Sequence, residues 1–401
     1  MTIDQTPLVL THFTATSAIG RGLGQTLDSL NEQRSGLAPC QFETVRLDAY
    51  VGEVGGVDEE RIAPALRRFD CRNNRLAQLG LNQDDFAAVV EDLARRWGRH
   101  RIGVFLGTST SGILETELAY RRRDPATGAL PPDFHYRGAH NSFSVADFAR
   151  EYLKLEGPAV VVSSACSSSA KVFGSARRMI AAGLIDAALV GGVDSLCLTT
   201  LYGFHSLQLV SARPCCPFDP GRDGISIGEA AAFALLERAP DSLDPDAVMF
   251  LGIGESSDAY HMSSPHPEGK GAQAAMLQAL STAGLQAADI DYINVHGTGT
   301  PSNDNAEGRA VATVLGGEVP CSSTKGATGH TLGAAGALEA VICALALQHD
   351  VMPAGLNTST VDASLGVNYL LENRRQKVSR VMSNSFGFGG SNCSLILGRA
   401  G

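Results

Sequence analysis

Residues 102–106, 159–162, 187–190 and 292–295 form short apolar runs that give way to Gly, Ser or Thr within a residue or two. Apolar runs of this length predict buried strands. Between them lie stretches of helical character: residues 175–182 close just before Gly183, and residues 334–347 are an Ala-rich apolar segment. Strand and helix thus alternate, which predicts an α/β architecture. No low-complexity, Pro-rich or like-charged stretch divides the chain, so it reads as one catalytic unit without appended carrier or reductase modules.

An internal echo refines this picture. GVFLGTSTSG at residues 103–112 and INVHGTGT at residues 293–300 are both apolar strands breaking into Gly and hydroxyl residues. VSSACSSSA at residues 162–170 and CSSTKGATGHTLGAA at residues 321–335 both lead into a helix. The echo predicts two related halves, residues 1–245 and 246–401.

The 401 residues are 44% hydrophobic and 18% charged, enough for one large or two medium folded domains. Forty-four Gly against 6% aromatics point to tight turns and closely packed small residues. A net charge of −10 excludes nucleic acid and anionic membrane as default partners. Nine cysteines, scattered apart from Cys215 and Cys216 and without CxxC spacing, predict a reducing compartment, the cytoplasm. Residues 1–13 lack the basic start and apolar core of a signal peptide, and no run of about 18 apolar residues is expected to span a bilayer.

Four segments carry candidate chemistry. Cys166 lies between a Val-rich strand and a helix, where the free N–H groups of the helix start favour a thiolate and can hold an oxyanion. His296 lies at the end of an apolar strand, in NVHGTGTP, and His330 ends KGATGH just before a helix. Lys325 lies five residues before His330, and a cation there can pair with Glu307 and polarise the site. Near the C terminus, residues 384–392 place Phe386 and Phe388 among three glycines, where backbone can approach a ligand closely.

With ACSSS, PFDPGRDG, HGTGTPSND, KGATGH and NSFGFGGSN in this order, the chain resembles the β-ketoacyl-[acyl carrier protein] synthases of the thiolase superfamily, in particular the elongating class with one Cys and two His. The resemblance is strong from about residue 157 onward and weaker before it. It implies a thiolase-like fold, two pseudo-repeated α/β halves in five α-β-α-β-α layers. Cys166 would then accept the acyl chain, His296 and His330 would bond the malonyl thioester carbonyl, and Lys325 with Glu307 would form a supporting ion pair. The amides of Cys166 and Phe388 would form the oxyanion hole, with Thr298 and Thr300 holding the pantetheine arm. Phe388, with Phe386 beside it, would gate the site, and residues 257–262, with Asp258 and His261, resemble a second mobile loop. The reaction would be a decarboxylative condensation, extending an acyl chain by two carbons in fatty acid, polyketide or aryl polyene synthesis. The resemblance implies no metal or redox cofactor, and an acyl carrier protein as partner.

Departures from the family pattern bear on the substrate. Ile225 stands where the family commonly has an aromatic, and Lys171 follows the nucleophile by five residues. Glu115 and Glu117 stand where fatty acid enzymes tend to be apolar, so they either open the pocket to a rigid or polar chain or simply face solvent. Arg61, Arg67, Arg68, Arg72 and Arg75 form a basic patch suited to an acidic carrier protein, with Arg67 and Arg68 at its centre. Two other readings compete. A degradative thiolase would need a second catalytic Cys, for which Cys393 is the nearest candidate and reads as structural. A chain-length factor would share the fold but lack the nucleophile, and a dimer with such a homologue, or with a second copy, is expected.

Overall fold

The protein, described by a computed structural model over residues 7–401, is built on one mixed sheet in which a single strand order occurs twice. Residues 1–6, the start of the segment read above for a signal peptide, lie outside the described residues. The first half contributes β1 (Leu8–Ser17), β2 (Ile102–Gly107), β3 (Ala159–Val162), β4 (Ala187–Asp194) and β5 (Ala230–Arg238). The second contributes β6 (Val248–Ser257), β7 (Tyr292–Asn294), β8 (Pro320–Ser322), β9 (Asn368–Tyr369), β10 (Arg380–Gly387) and β11 (Ser391–Arg399). In space they run β9-β8-β7-β10-β11-β6-β1-β5-β4-β2-β3.

Outward from the centre, β1-β5-β4-β2-β3 is matched by β6-β11-β10-β7-β8, with β9 appended at the far edge. Directions match as well: two antiparallel pairings come first and parallel pairings follow. The halves join where β1 and β6 pair antiparallel, Leu8 with Phe250, Val9 with Met249 and Leu10 with Val248. The sequence echo maps onto this repeat, because its first pair of segments follows β2 and β7 and its second pair follows β3 and β8.

Layering follows from which faces are apolar. In β5, Ala230, Ala232, Ala234 and Leu236 enter the central core, whereas Ala231, Phe233 and Leu235 enter an outer one. A strand buried on both faces is apolar at every position, which accounts for the unbroken AAAFALL. The outer layer of the first half is α1 (Arg72–Leu81), α2 (Phe86–Trp97) and α3 (Ser144–Tyr152). The middle layer includes α4 (Ser168–Ala181) and α7 (Ala335–His349), while α5 (Lys270–Ala283) and α6 (Pro301–Leu315) cover the second half.

The α7 helix is buried from Ala335 to Leu347, so no side of it needs a polar face. Residues Leu332–His349 are in fact long and apolar enough to cross a membrane, against the expectation that no such run exists, but 89% of that stretch is buried between the two halves. It meets α4 where Gly336 lies against the Ala170 backbone, and a Cβ there would fall 2.6 Å from the Ala170 nitrogen. All nine cysteines are free, eight of them buried, and Cys393 sits inside β11.

Candidate active site

The turn between β3 and α4 presents Cys166. Ala165 takes a left-handed φ of 52°, which reverses the chain within one residue and directs Cys166 toward the second half. Serines tie the turn: Ser168 Oγ accepts the Ser164 N–H at 2.8 Å and donates to the Ala165 carbonyl at 2.5 Å, and Ser167 Oγ donates to the Ser164 carbonyl at 3.0 Å. The end of β10 passes so close that a Cβ on Gly387 would lie 3.1 Å from both the Cys166 nitrogen and the Ser164 oxygen, so only glycine fits there without displacement.

The second half answers with three side chains. His330 Nε2 stands 3.1 Å from Cys166 Sγ. Its Nδ1 accepts the Leu332 N–H at 3.2 Å, which leaves the proton of a neutral ring on Nε2, aimed at the sulfur. His296 lies beside it with ring centroids 5.2 Å apart and planes at 83°. The Lys325 ammonium sits 3.4 Å from His296 Nδ1 and donates to the His296 carbonyl at 2.6 Å, so the His296 proton is on Nε2 as well. Burial first, and the Lys325 charge second, hold both imidazoles well below the usual 6.5. The pair therefore offers two neutral N–H donors at pH 7.

Lys325 does not pair with Glu307 as expected. Its ammonium bonds Glu339 of α7, both groups being almost completely buried, and burial pushes the Glu339 carboxyl up to about 6 against the pull of Lys325. Glu307 on α6 instead holds the catalytic turn, accepting the backbone N–H groups of His296 and Gly297, each at 2.7 Å. Burial pushes its carboxyl up to about 7 despite those two donors. Asp304, one turn earlier, accepts the N–H groups of Thr298 and Phe218 at 3.0 and 2.9 Å. The helix starts where the sequence TPSND dictates, with Thr300 as N-cap and Pro301 in the first turn.

The thiol also departs from expectation. Burial pushes Cys166 up to about 11, although the Lys325 charge and the backbone N–H groups of Phe388 and of Cys166 itself pull it down. The resting nucleophile is thus a thiol, not the thiolate expected from the helix start. Those same N–H groups lie beside the sulfur, so they are the donors within reach of an oxyanion formed on the acyl carbon that it carries. Cys166, His296 and His330 have ligand atoms within 4.8 Å of one another, but the Lys325 ammonium beside His296 opposes a cation there.

Cys166, His296 and His330 line a narrow cleft of about 60 Å³. Thr298 and Thr300, their hydroxyls 2.9 Å apart, lie along its wall with Phe386 and Asp258. Phe388 stands at the mouth with its ring 5.5 Å from that of Phe204. His261 does not line the cleft: it is exposed, and its Nδ1 accepts the Ser263 N–H at 3.2 Å. Ile225 forms part of the wall, whereas Lys171 sits half-buried on α4 and outside the cleft lining.

Glu117 neither enters the cleft nor faces solvent freely, because it accepts the N–H groups of Leu198 and Thr199 at 2.9 and 2.6 Å and caps the helix Leu198–Ser206. Glu115 is half-buried beside Arg75, and burial pushes its carboxyl up. The arginine patch is largely spent on the protein itself. Arg72 is buried against Glu229 and Asp58, Arg75 pairs with Asp70, Arg68 pairs with Glu151 and Arg61 bonds the carbonyls of Asp58 and Glu60. Among the described residues, Arg67 alone of the five is exposed without a partner.

Three participants were not anticipated. Glu339 is the single charged side chain among residues 335–347, which was the available signal. Asp194 ends β4 and accepts from Ser109 and Thr110 N–H at 2.8 Å and from Gly333 N–H at 2.5 Å, linking the turn after β2 to the His330 loop. Phe204 forms the outer lip of the cleft.

Residues 13–242 match the N-terminal domain of the beta-ketoacyl synthases, and residues 248–359 match their C-terminal domain. The chain belongs to the β-ketoacyl synthase family. Among curated relatives of this synthase, a 3-oxoacyl-[acyl-carrier-protein] synthase 2 of Coxiella burnetii is 36% identical over 313 residues, 75% of each chain. Another of that name from Vibrio cholerae is 31% identical over 98% of this chain and 99% of its own. The synthase superimposes with a TM-score of 0.89 on a ketosynthase of Xenorhabdus doucetiae solved in complex with its chain length factor, 40% identical over 98% of both chains. These relatives are condensing acyltransferases by name, and their thiolase fold is the one described above.

Proposed function

We propose that the synthase condenses a Cys166-bound acyl chain with malonyl carrier protein, extending the chain by two carbons. The observation that carries this reading is the Cys166 sulfur, 3.1 Å from His330 Nε2 and met by the backbone N–H groups of Cys166 and Phe388. In the first half-reaction Cys166 sulfur attacks an acyl thioester, its proton leaving with the displaced pantetheine thiol, while the carbonyl oxygen rests on those two amides. In the second, the malonyl thioester oxygen accepts from His296 and His330 Nε2. Loss of carbon dioxide leaves an enolate on that oxygen, and its carbon displaces Cys166 from the acyl group as a thiolate, which takes up a proton from solvent to return to the resting thiol. No proton is drawn from carbon, so neutral imidazoles suit the step better than a base. No metal or redox cofactor is required by this chemistry. Thr298 and Thr300 hold the arm, and Arg67 with Arg68 guides an acidic carrier during encounter. The halves 1–245 and 246–401 each supply one side of the site, an assignment that the repeated strand order supports.

The product lineage we favour is a polyketide-type chain, of which an aryl polyene is one form, rather than a saturated fatty acid. Glu115 and Glu117 do not carry this reading, since both lie outside the cleft. Its support is the likeness to two ketosynthases solved with chain length factors, the Xenorhabdus doucetiae protein and the ishigamide enzyme, the latter 27% identical with a TM-score of 0.88. A related second subunit fits the molecule: β3, the edge strand before Cys166, is Ala-Val-Val-Val with every residue half-exposed and a single neighbouring strand. The free cysteines suit the cytoplasm.

Intact mass spectrometry of protein and carrier tests the reaction after mixing with a short acyl carrier protein and malonyl carrier protein. An adduct on Cys166 and a β-keto product two carbons longer are expected, and neither forming even with a chain-length-factor subunit present would refute the assignment. A monomer in light scattering, alone and with that subunit, would refute the pairing.

A further inference from the structure

Four consecutive backbone donors in the His296 turn are divided between two carboxylates. Glu307 accepts the N–H groups of His296 and Gly297, and Asp304 Oδ1 accepts those of Thr298 and Gly299 at 3.0 and 3.3 Å. Both acids are buried one turn apart on α6, where their charges repel with little screening by water. Burial pushes both carboxyls up, against the pull of their donors. Asn303 spans the gap between them. Its Nδ2 stands 3.1 Å from Asp304 Oδ1 and 3.4 Å from Glu307 Oε2, the oxygens that accept the Thr298 and Gly297 N–H groups. A carboxamide nitrogen has two protons, one for each oxygen, and the reverse orientation would set a carbonyl oxygen against two acceptors. Countercharge is sparse. Lys325 faces Glu307, and Arg222 approaches Asp304 at 3.8 Å. Cys321 beside Glu307, and Cys216 and Tyr369 beside Asp304, are pushed up by burial and stay protonated near neutral pH, and His296 stays neutral.

We propose that Asn303 is a positioning residue for His296: its single carboxamide nitrogen lets two adjacent buried carboxylates hold the catalytic turn at once. The proposal rests on the condensing reading above. A hydrogen bond donated to a carboxylate favours its charged form, so removing the carboxamide raises the pH at which the pair of acids gains its first proton. A carboxyl that gains a proton gives up part of its hold on residues 296–299, and His296 Nε2 then loses its aim at the malonyl oxygen. The acid side of the decarboxylation profile therefore moves to higher pH when Asn303 is lost. Asn303 needs no contact with the reacting atoms for this effect, because it acts through Asp304 and Glu307.

The test follows decarboxylation of saturating malonyl carrier protein from about pH 6 to 9. Asn303→Leu should move the acid limb up by about one pH unit, which cuts the rate at pH 7, relative to that at pH 9, about fivefold. Asn303→Asp sets a third carboxylate beside the pair and should move the limb further, whereas Asn303→Gln keeps a carboxamide and should recover part of the shift. A loss in Asn303→Leu that is equal at every pH would overturn the proposal and leave Asn303 a residue of the cleft wall alone. The amide proton of His296, followed by NMR in protein carrying nitrogen-labelled histidine, reads Glu307 without turnover, since Glu307 accepts that N–H. Its titration midpoint should rise together with the limb, and an unmoved midpoint in Asn303→Leu would also overturn the proposal. An unaltered protein that shows this titration yet decarboxylates at no pH would refute the condensing reading, while the midpoints of the variants would still decide the hold of Asn303 on the turn.

Discussion

The two halves take the same path from the third strand to the middle helix and use it differently. In the first half residues 163–167 suffice to pass from β3 to α4, and Cys166 arrives at the helix start with its backbone N–H free. In the second half residues 323–334 separate β8 from α7. That longer path buries Lys325 and delivers His330 to the sulfur. The turns after β2 and β7 diverge likewise. Asp194 holds the first as a pure scaffold, while Glu307 and Asp304 hold the second in the conformation that projects His296. A repeated frame thus separates covalent capture from polarisation, one task to each half, and the site exists only where they meet.

The sharpest way to break this division is Cys166→Ala. Condensation should fall by about 10⁴-fold or more with the melting curve unchanged, measured as β-keto product per time; continued elongation would show that the first half is not the capturing one. His330→Ala tests the other half, and should lower condensation by about 10²–10³-fold while acyl transfer to Cys166 continues, read by mass spectrometry of the acylated protein. Loss of both half-reactions to the same extent would merge the two tasks.

Burial of charge in the second half has a stability signature. Lys325→Met should cost about 3–5 kcal/mol in denaturant unfolding, because Glu339 is left buried and unpaired, and adding Glu339→Leu should recover most of it. No recovery in the double variant would mean that Lys325 stabilises through His296 alone. In the first half, a thiol pushed to about 11 should be alkylated by iodoacetamide about tenfold faster per pH unit from pH 7 to 9, without a plateau. The two imidazoles stay neutral across that range, but Glu307, pushed up to about 7, and Glu339, pushed up to about 6, gain protons below it and loosen the His296 turn and Lys325, so decarboxylation of malonyl carrier protein should be flat between pH 8 and 9 and fall as the pH drops from 8 to 6. A plateau in alkylation near neutrality would reveal a thiolate at rest.

Much of the site was legible in the sequence because its groups sit in turns. Gly, Ser and Thr mark where strands end, and the nucleophile and both imidazoles lie within those marks, in segments whose echo follows the repeated strand order. Partners across the middle layer were not legible. Lys325 and Glu339 meet only because α7 folds back over its own loop, and spacing along the chain says nothing of that. Glu307 was the partner that the family resemblance implied, yet its carboxylate was already claimed by two backbone donors that sequence cannot display. Glu115 and Glu117 illustrate the converse. Their helix follows the β2 turn, but the face they occupy is set by Arg75 and by the start of the helix Leu198–Ser206, so acidity there does not translate into a polar pocket. Arg72 and Arg75 drop out of the arginine patch for the same reason, since both serve acids of their own fold.

The position of β11 bears on how the molecule is made. This strand lies in the middle of the sheet, between β10 and β6, yet its residues 391–399 emerge from the ribosome some fifty residues after α7. At about 5–20 residues per second, a helix with the hydropathy of a membrane span waits roughly 3–10 s for the strand that helps to enclose it. A nascent chain in that interval offers trigger factors and translocation machinery a target that the finished protein hides, so slowing synthesis through residues 350–390 should lower the yield of folded protein more than slowing it elsewhere.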